Sequence, residues 1–427
     1  MMGTRGTQPG RFGLLMRRSW MIAVMSLVPA VSMAAQPVVV TSADAPAPLL
    51  EQGKPPVDWW FVFKLNTHAF EGCGGTAQRQ CLFGGDVKDY KFGQQFVYAS
   101  SANTTLQKGS GCAGDTTNDP LGATFAQIYN GHPYFAIWND QFYDDPKIAG
   151  CDKDCGSPWG HSKGMLAWND AGEGMVLQVS TPSWPAAGSK ANPRRTDGNT
   201  LGCVKDDDVE VSQHFFALRL ARADVLTVLK ALQTASVVTD PKNPQIVRNG
   251  GPADTQALVA SLGTRSKATA VTKAVLTSGV TLIAKPSALH VPPWQLVSAE
   301  LGGVGMRAAT WFETPEIHST SAQTAVVCWQ SGLRKPGPVE IALTGSWDGH
   351  TFGLTGGGGP DHNHAKVGVD AGGRFSVFGD MNQQGTLSGP KCASSQNGRG
   401  GLFYVIDDKG LSKSVGALIA GKADPVQ

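Results

Sequence analysis

The chain has 427 residues, of which 41% are apolar, so it can bury one large core or two domain-sized cores. Its formal net charge is only +2, and four of its arginines lie within the first 18 residues. The remainder is therefore slightly acidic, which excludes general attraction to polyanions. Any affinity for phosphate must come from a local cluster of charges.

The N-terminus has the pattern of an export signal. Arginines precede the apolar run "WMIAVMSLVPAV", and small residues follow it. The run is too short to span a bilayer, so we predict a signal peptide over residues 1–34, cleaved after Ala34. The pair Arg17–Arg18 leaves twin-arginine export open. We expect an exported protein, periplasmic or secreted, with no membrane segment after cleavage.

The predicted elements alternate between strands and helices. Residues 35–55 are rich in Ala and Pro and are predicted to be a linker. We predict mixed α/β structure from the segments that follow, in chain order: strands over 57–65 and 133–140, a strand pair around "AGEG" (163–181), an amphipathic helix over 212–233, a second helix over 252–262, strands over 306–313 and 324–330, and a strand pair around "DAGG".

All eight cysteines follow the predicted leader. An even number in an exported chain indicates disulfides, although 105 pairings are conceivable. The short spacings favour local bridges between Cys73 and Cys81 and between Cys151 and Cys155. Half of a zinc site is the alternative for "CDKDC", but no matching second half is present.

One pattern occurs twice. Residues 161–183 read "HSKGMLAWNDAGEGMVLQVSTPS", and residues 364–382 read "HAKVGVDAGGRFSVFGDMN". Each copy opens with His-x-Lys, continues as an apolar strand, turns at glycines, returns as a second strand and ends in a small polar quartet. Two similar halves, residues 56–245 and 246–427, would place one copy in each.

The repeat indicates phosphodiester chemistry. Positions i and i+2 of a strand point to the same face, so each copy presents an imidazole beside an ammonium group. Two copies together would supply a nucleophile, a proton donor and positive charge for the phosphate oxygens without a metal. The lysines would also lower the imidazole pKa values and keep a nucleophilic histidine neutral.

Several stretches resemble the deoxyribonuclease II family of acid nucleases, which is related to the phospholipase D superfamily through two His-x-Lys motifs. The resemblance runs from about residue 55 to 410, and these segments carry it: "DWWFVFKLN" (58–66), "IWNDQ" (137–141), "GHSKGMLAW" (160–168), "VSTPSWP" (179–185), "HAKVGV" (364–369) and "FGDMN" (378–382). It implies a phospholipase D-like, pseudo-twofold α/β fold with mixed sheets and flanking helices.

The resemblance also implies an activity, namely metal-independent hydrolysis of DNA at acidic pH through a phosphohistidine, leaving 3′-phosphate ends. By position, His161 and Lys163 form one half-site, and His364 and Lys366 form the other. Superfamily analogy makes His161 the nucleophile and His364 the acid, although the motif itself does not distinguish them.

Four further residues are candidates for supporting roles: Asn382, Ser183, Asn139 and His362. The family usually has Asp-His-x-Lys, and here Asn363 occupies the position of that aspartate. A shifted register would put His362 in the site, but His362 lacks a lysine two positions later.

Other interpretations remain open from sequence. A metal nuclease could use Asp361, His362 and His364 as ligands, which would leave the first His-x-Lys unexplained. The substrate could be a lipid or another phosphodiester, or the chain could be a binding protein with a decayed site.

We expect no cofactor and a DNA partner that is bound with little sequence specificity. Assembly as a homodimer is left open. Six tryptophans suggest base stacking but are more typical of a core: Trp59, Trp60, Trp138, Trp168, Trp184 and Trp294.

Overall fold

A computed structural model describes residues 44–69, 95–131, 134–151, 154–185, 188–195 and 210–427. The predicted signal peptide and the cysteines at 73, 81 and 203 lie outside these residues. Residues 39–427 form one compact unit. Among the described residues, no helix is long and apolar enough to cross a membrane.

The first sheet has eight antiparallel strands drawn from residues 59–248. Its spatial order is β3 (Asn103–Lys108), β2 (Phe96–Ser100), β1 (Trp59–Lys64), β7 (Gln213–Leu220), β6 (Gly174–Val179), β5 (Lys163–Trp168), β4 (Tyr134–Asn139) and β8 (Val247–Arg248). The central strands are buried on both faces, which explains their nearly continuous apolar sequences.

The second sheet has seven strands drawn from residues 272–407. Its order is β12 (Val339–Ile341), β11 (Met306–Ala309), β15 (Val367–Asp370), β16 (Phe375–Gly379), β17 (Gly401–Asp407), β10 (Thr281–Lys285) and β9 (Thr272–Val275). Only the pairing of β11 with β12 is parallel. A separate hairpin comprises β13 (Thr344–Trp347) and β14 (His350–Gly353).

Five helices accompany the sheets in the described residues: α1 (Pro120–Tyr129), α2 (Arg222–Ala235), α3 (Ala253–Ala260), α4 (Pro293–Glu300) and α5 (Lys409–Leu418). The predicted mixed α/β class is thereby confirmed. Each His-x-Lys copy precedes a run of three neighbouring strands, β5-β6-β7 in one sheet and β15-β16-β17 in the other. The boundary between two halves at residue 245 stays a prediction.

Aromatic side chains join the two sheets. Phe378 of β16 stacks on Phe61 of β1 and on Phe216 of β7, with ring centroids 4.4 and 4.9 Å apart. Phe216 also meets Tyr404 of β17 at 5.4 Å. All four residues belong to one buried cluster, so the sheets share a core that fixes how the two strand runs face each other.

Two sequence-based expectations were wrong in part, and a third was wrong altogether. The predicted helix over 212–233 is strand β7 followed by α2, because β7 pairs with both β1 and β6 and tertiary pairing overrides the helical period. The predicted strand over 306–313 ends at Ala309. Residues 324–330 form no strand; Cys328 is instead tied to Cys392 by a disulfide.

The predicted Cys151–Cys155 bridge is confirmed, and it overturns the zinc alternative for that segment. Cys112 is also disulfide-bonded. The other predicted local bridge, between Cys73 and Cys81, falls outside the described residues.

Replacement of Phe378 with Ala should lower the free energy of unfolding by about 3–5 kcal/mol, because it opens a cavity between two rings of the opposite sheet. Urea denaturation measures this. Val275→Ala is the control, since Val275 is 72% exposed and should change stability by less than about 0.5 kcal/mol. Equal losses in both variants would show that the inter-sheet stack is not what holds the sheets together.

Candidate active site

The first His-x-Lys motif is held by the second sheet. His161 lies just before β5, and its backbone N–H donates to the carbonyl of Gly400 at 2.8 Å. Its ring Nδ1 lies 2.7 Å from the backbone carbonyl oxygen of Asp380. A carbonyl can only accept, so Nδ1 carries the proton. In the neutral ring, the lone pair is therefore on Nε2.

The second motif is held by the first sheet. The backbone N–H of His364 donates to the carbonyl of Ser212 at 2.8 Å. The backbone N–H of Lys366 donates to Nδ1 of His214, a residue of β7, at 3.1 Å. Each motif is thus anchored by hydrogen bonds to residues beside the strands of the other sheet or within them.

Backbone contacts bring the two motifs together. Nδ1 of His161 lies against the Asp380 carbonyl, and the preceding residue, Gly379, donates its N–H to the Lys366 carbonyl at 2.9 Å. The electrostatic influence of each motif on the other agrees with this arrangement. Burial lowers the pKa of His161 well below its usual value, and Lys163 lowers it further, with a contribution from Lys366 of the other motif. Burial likewise lowers the pKa of His364, and Lys366, Lys163 and His161 each lower it further, in that order of size. Such influence between charged groups falls with distance, so His161, Lys163, His364 and Lys366 form one group, called here the twin-motif cluster.

A buried carboxylate balances the positive charge on one side of the cluster. Asp140, directly after β4, accepts from Lys163 Nζ at 2.7 Å and from an Arg399 guanidinium nitrogen at 2.8 Å. Burial alone would raise the pKa of Asp140, but Lys163, His161 and Arg399 outweigh that effect and lower it. Asp140 therefore stays ionised in acid and keeps Lys163 in place.

Arg399, just before β17 of the second sheet, bonds to residues that flank β4 and β5 of the first sheet, beside the first histidine. Its guanidinium donates to the carbonyls of Trp159 at 3.1 Å and Gly160 at 2.9 Å, as well as to Asp140. Lys285 braces the same segment, because its Nζ donates to the carbonyls of Asn397 and Arg399 at 2.8 and 2.6 Å. The loop that supplies Gly400 to His161 is therefore held from both sides.

Three of the four supporting candidates are buried and make hydrogen bonds to other residues of the protein. Asn139 donates to the carbonyl of Trp184 at 3.3 Å and accepts from the backbone of Gln141, so it braces the loop after β4. The backbone of Ser183 donates to the Gln141 carbonyl at 2.8 Å. Asn382 donates to the side chain of Gln384 at 2.9 Å. A contact of these residues with substrate stays a prediction.

The fourth candidate, His362, packs among glycines. A Cβ built on Gly357 would fall 2.4 Å from its ring. Asp361 accepts from the backbone of Gly353 at 2.6 Å and lies 3.4 Å from His68. Within the described ranges, no three His, Cys, Asp or Glu side chains gather as a metal site would require. The alternative ligand set of Asp361, His362 and His364 is therefore not assembled.

Several residues of the site were not predicted from sequence: Asp140, Lys64, His214, Asp380 and Arg399. Asp140 and Asp380 lie inside quoted motifs, "IWNDQ" and "FGDMN", where their acid groups were the available signal. Burial raises the pKa of Asp380 to about 7. Hydrogen bonds oppose this shift, and the one with Ser162 has the largest effect among them. Lys64 adds positive charge that lowers the pKa of His364.

The comparison with protein families agrees with this geometry. The family model for Deoxyribonuclease II matches residues 49–321, which is more than half of the chain. The chain belongs to the deoxyribonuclease II family. The matched range includes His161 and Lys163 and ends before His364, so the second motif of this family member rests on the repeat and on the contacts described above.

A curated relative is similar over a shorter range. Deoxyribonuclease-2-alpha of Sus scrofa is 30% identical to the chain over 156 residues. These residues make up 35% of this chain, and the match spans 37% of the pig protein.

Asp140→Asn should lower the free energy of unfolding by about 3–5 kcal/mol at neutral pH, because it leaves Lys163 and Arg399 buried without their carboxylate. The pKa of Asp140 is lowered by folding, so this contribution is present above the pKa of the unfolded state, about 4. The difference between variant and wild type should persist at pH 5 and shrink only as the pH falls below about 4.

Denaturation at several pH values measures the difference. The matched control is Asp254→Asn, which removes an exposed ion pair with Arg222 and should change stability little. A loss in Asp140→Asn no larger than in this control would contradict the assignment of Asp140 as the counter-ion of the cluster.

Proposed function

We propose that this family member is an exported acid endonuclease that hydrolyses DNA phosphodiesters without a metal, through a phosphohistidine, and leaves 3′-phosphate ends. The observation that carries the proposal is the twin-motif cluster, in which two buried imidazoles from distant parts of the chain share one set of lysines. Family membership supports DNA as the substrate.

His161 is the proposed nucleophile. Its Nδ1–H is held by the Asp380 carbonyl, which leaves Nε2 to attack phosphorus. A P–N bond forms while the bond from phosphorus to the 5′ oxygen breaks. The ring then carries positive charge, which nearby Asp140 favours electrostatically. The same hydrogen bond keeps the ring oriented in both steps.

His364 is the proposed acid. It gives its proton to the departing 5′ oxygen, then takes a proton from the water that breaks the P–N bond and releases the 3′-phosphate. Burial and the neighbouring lysines make its imidazolium strongly acidic. A strongly acidic imidazolium is an effective proton donor but forms only at low pH.

The lysines replace the Lewis acid of metal nucleases in this proposal. Lys163 and Lys366 would hold the non-bridging oxygens, and Lys64 adds positive charge at the His364 side. The disulfides Cys151–Cys155 and Cys328–Cys392 support an oxidising destination, in agreement with the predicted leader. A homodimer stays a prediction.

Digestion of plasmid DNA at pH 5 in excess EDTA tests the overall proposal. We expect full activity and products with 3′-phosphate ends. Because folding lowers the pKa of His364, kcat/KM should fall by about tenfold per pH unit once the pH exceeds that lowered pKa. Loss of activity in EDTA, 5′-phosphate ends or a flat profile from pH 4 to 8 would each reject a part of it.

A leaving-group experiment assigns the two histidines. His364→Asn should lower DNA cleavage by about 10²–10⁴-fold but should have a much smaller effect on thymidine 3′-(4-nitrophenyl phosphate), whose leaving group needs no proton. His161→Asn should lose turnover on both substrates, because no P–N bond can form. Initial rates at pH 5 measure both effects.

The control is His350→Asn, at an exposed position of β14, which should retain wild-type rates on both substrates. The reverse pattern, with His161→Asn rescued by the activated ester, would make His364 the nucleophile.

A further inference from the structure

Trp311 lies beside the second histidine of the cluster. Strand β11 runs antiparallel to β15 with Ala309 opposite Val367, so the chain beyond Ala309 passes the residues just before β15. The indole of Trp311 meets the imidazole of His364 with ring centroids 4.2 Å apart and planes at 70°. Trp311 is partly exposed to solvent.

The tryptophans suggested from sequence for base stacking occupy a different environment. All six are buried, with at most 7% of their surface exposed: Trp59, Trp60, Trp138, Trp168, Trp184 and Trp294. Several of them donate hydrogen bonds within the core; for example, the indole of Trp294 donates to the Met381 carbonyl at 3.0 Å. Trp311 differs because it combines exposure with contact to a histidine of the cluster.

Gly356, the first of four consecutive glycines, packs against the indole. The backbone N–H of Gly356 donates to the carbonyl of Phe312 at 3.0 Å. A Cβ on Gly356 would lie 2.9 Å from the Phe312 nitrogen and 3.0 Å from the Trp311 ring. A side chain at position 356 would displace the Phe312 backbone or the indole, so glycine at this position allows the loop to pack closely against Trp311.

The position of the ring suggests its ligand. Under the proposed function, His364 protonates the 5′ oxygen that leaves, so the nucleotide that carries this oxygen lies on the His364 side. Tryptophan faces stack on nucleobases with little dependence on base identity. We infer that Trp311 stacks on the base of the nucleotide whose 5′ oxygen leaves and thereby positions that oxygen at His364. This inference rests on the proposed function.

The test uses short oligonucleotides with one cleavable phosphodiester, the other linkages being methylphosphonates. One substrate is intact, one has a tetrahydrofuran abasic residue on the leaving side, and one has it on the opposite side. Wild type, Trp311→Ala, Trp311→Leu and Trp311→Phe are compared by kcat/KM at pH 5.

On the intact substrate, Trp311→Ala and Trp311→Leu should lower kcat/KM by about 5- to 150-fold, whereas Trp311→Phe should keep most of the activity. Wild type should lose a similar factor on the substrate that is abasic on the leaving side, and there the Ala and Leu variants should lose nothing more. With the abasic residue on the opposite side, the loss caused by these variants should be as large as on intact DNA.

The control is Trp329→Ala, because Trp329 is partly buried against the separate cluster of Leu289, Val291 and Leu296. Its relative rates on the three substrates should match those of wild type. Equal losses in Trp311→Ala on all three substrates would overturn the inference and leave Trp311 as packing for His364. The inference would also be overturned if wild type cleaved the substrate that is abasic on the leaving side as fast as intact DNA. This comparison needs no variant. Failure of wild type to cleave intact DNA would instead reject the proposed function itself.

Discussion

The site depends on a reciprocal set of hydrogen bonds. The second sheet holds His161 through the Asp380 and Gly400 carbonyls, and the first sheet holds the second motif through Ser212 and His214. Neither motif is positioned by the strands of its own sheet alone. The aromatic stack around Phe378 and the bridge from Arg399 to Asp140 have the same effect, because both fix one sheet relative to the other. A small rotation between the sheets would therefore disturb both histidines at once.

Burial and positive charge then determine the chemistry. Both imidazoles are removed from water and surrounded by ammonium groups, which lowers their pKa values. Asp140 offsets part of this positive charge, since its carboxylate pairs with both Lys163 and Arg399 within hydrogen-bonding distance. The twin-motif cluster remains cationic overall, which suits a phosphodiester anion better than a neutral substrate. A local cluster of positive charge would also let a slightly acidic chain attract phosphate.

The features that could be predicted from the sequence are those that depend on local residue patterns. The strands that follow each His-x-Lys were predicted from apolar runs and glycine turns, and the repeat predicted that His161 and His364 lie in one site. Strand β7 was mistaken for a helix because its residues satisfy a helical period, and only pairing with β1 and β6 decides otherwise.

The missing site residues have a common explanation. Arg399, His214 and Trp311 lie in no recognisable sequence motif. Each contacts a residue that is distant in the chain. Long-range contacts of this kind are set by how the sheets pack, which no local window contains. Asp140 is an intermediate case: it lies within a motif, but its role depends on Arg399, 259 residues away.

The low basicity of the buried histidines has a consequence for acid tolerance. His161, His214 and His364 resist protonation in the native state, whereas the unfolded chain takes up protons below about pH 6.5. Each therefore weakens the fold by about 1.4 kcal/mol per pH unit as acid is added, until its own lowered pKa is reached. Asp380 acts in the opposite sense: its pKa of about 7 exceeds that of an unfolded aspartate, so its contribution is complete in acid and is lost as the pH rises through 7. A carboxyl whose backbone carbonyl orients His161 thus offsets part of the instability that the histidines impose in acid.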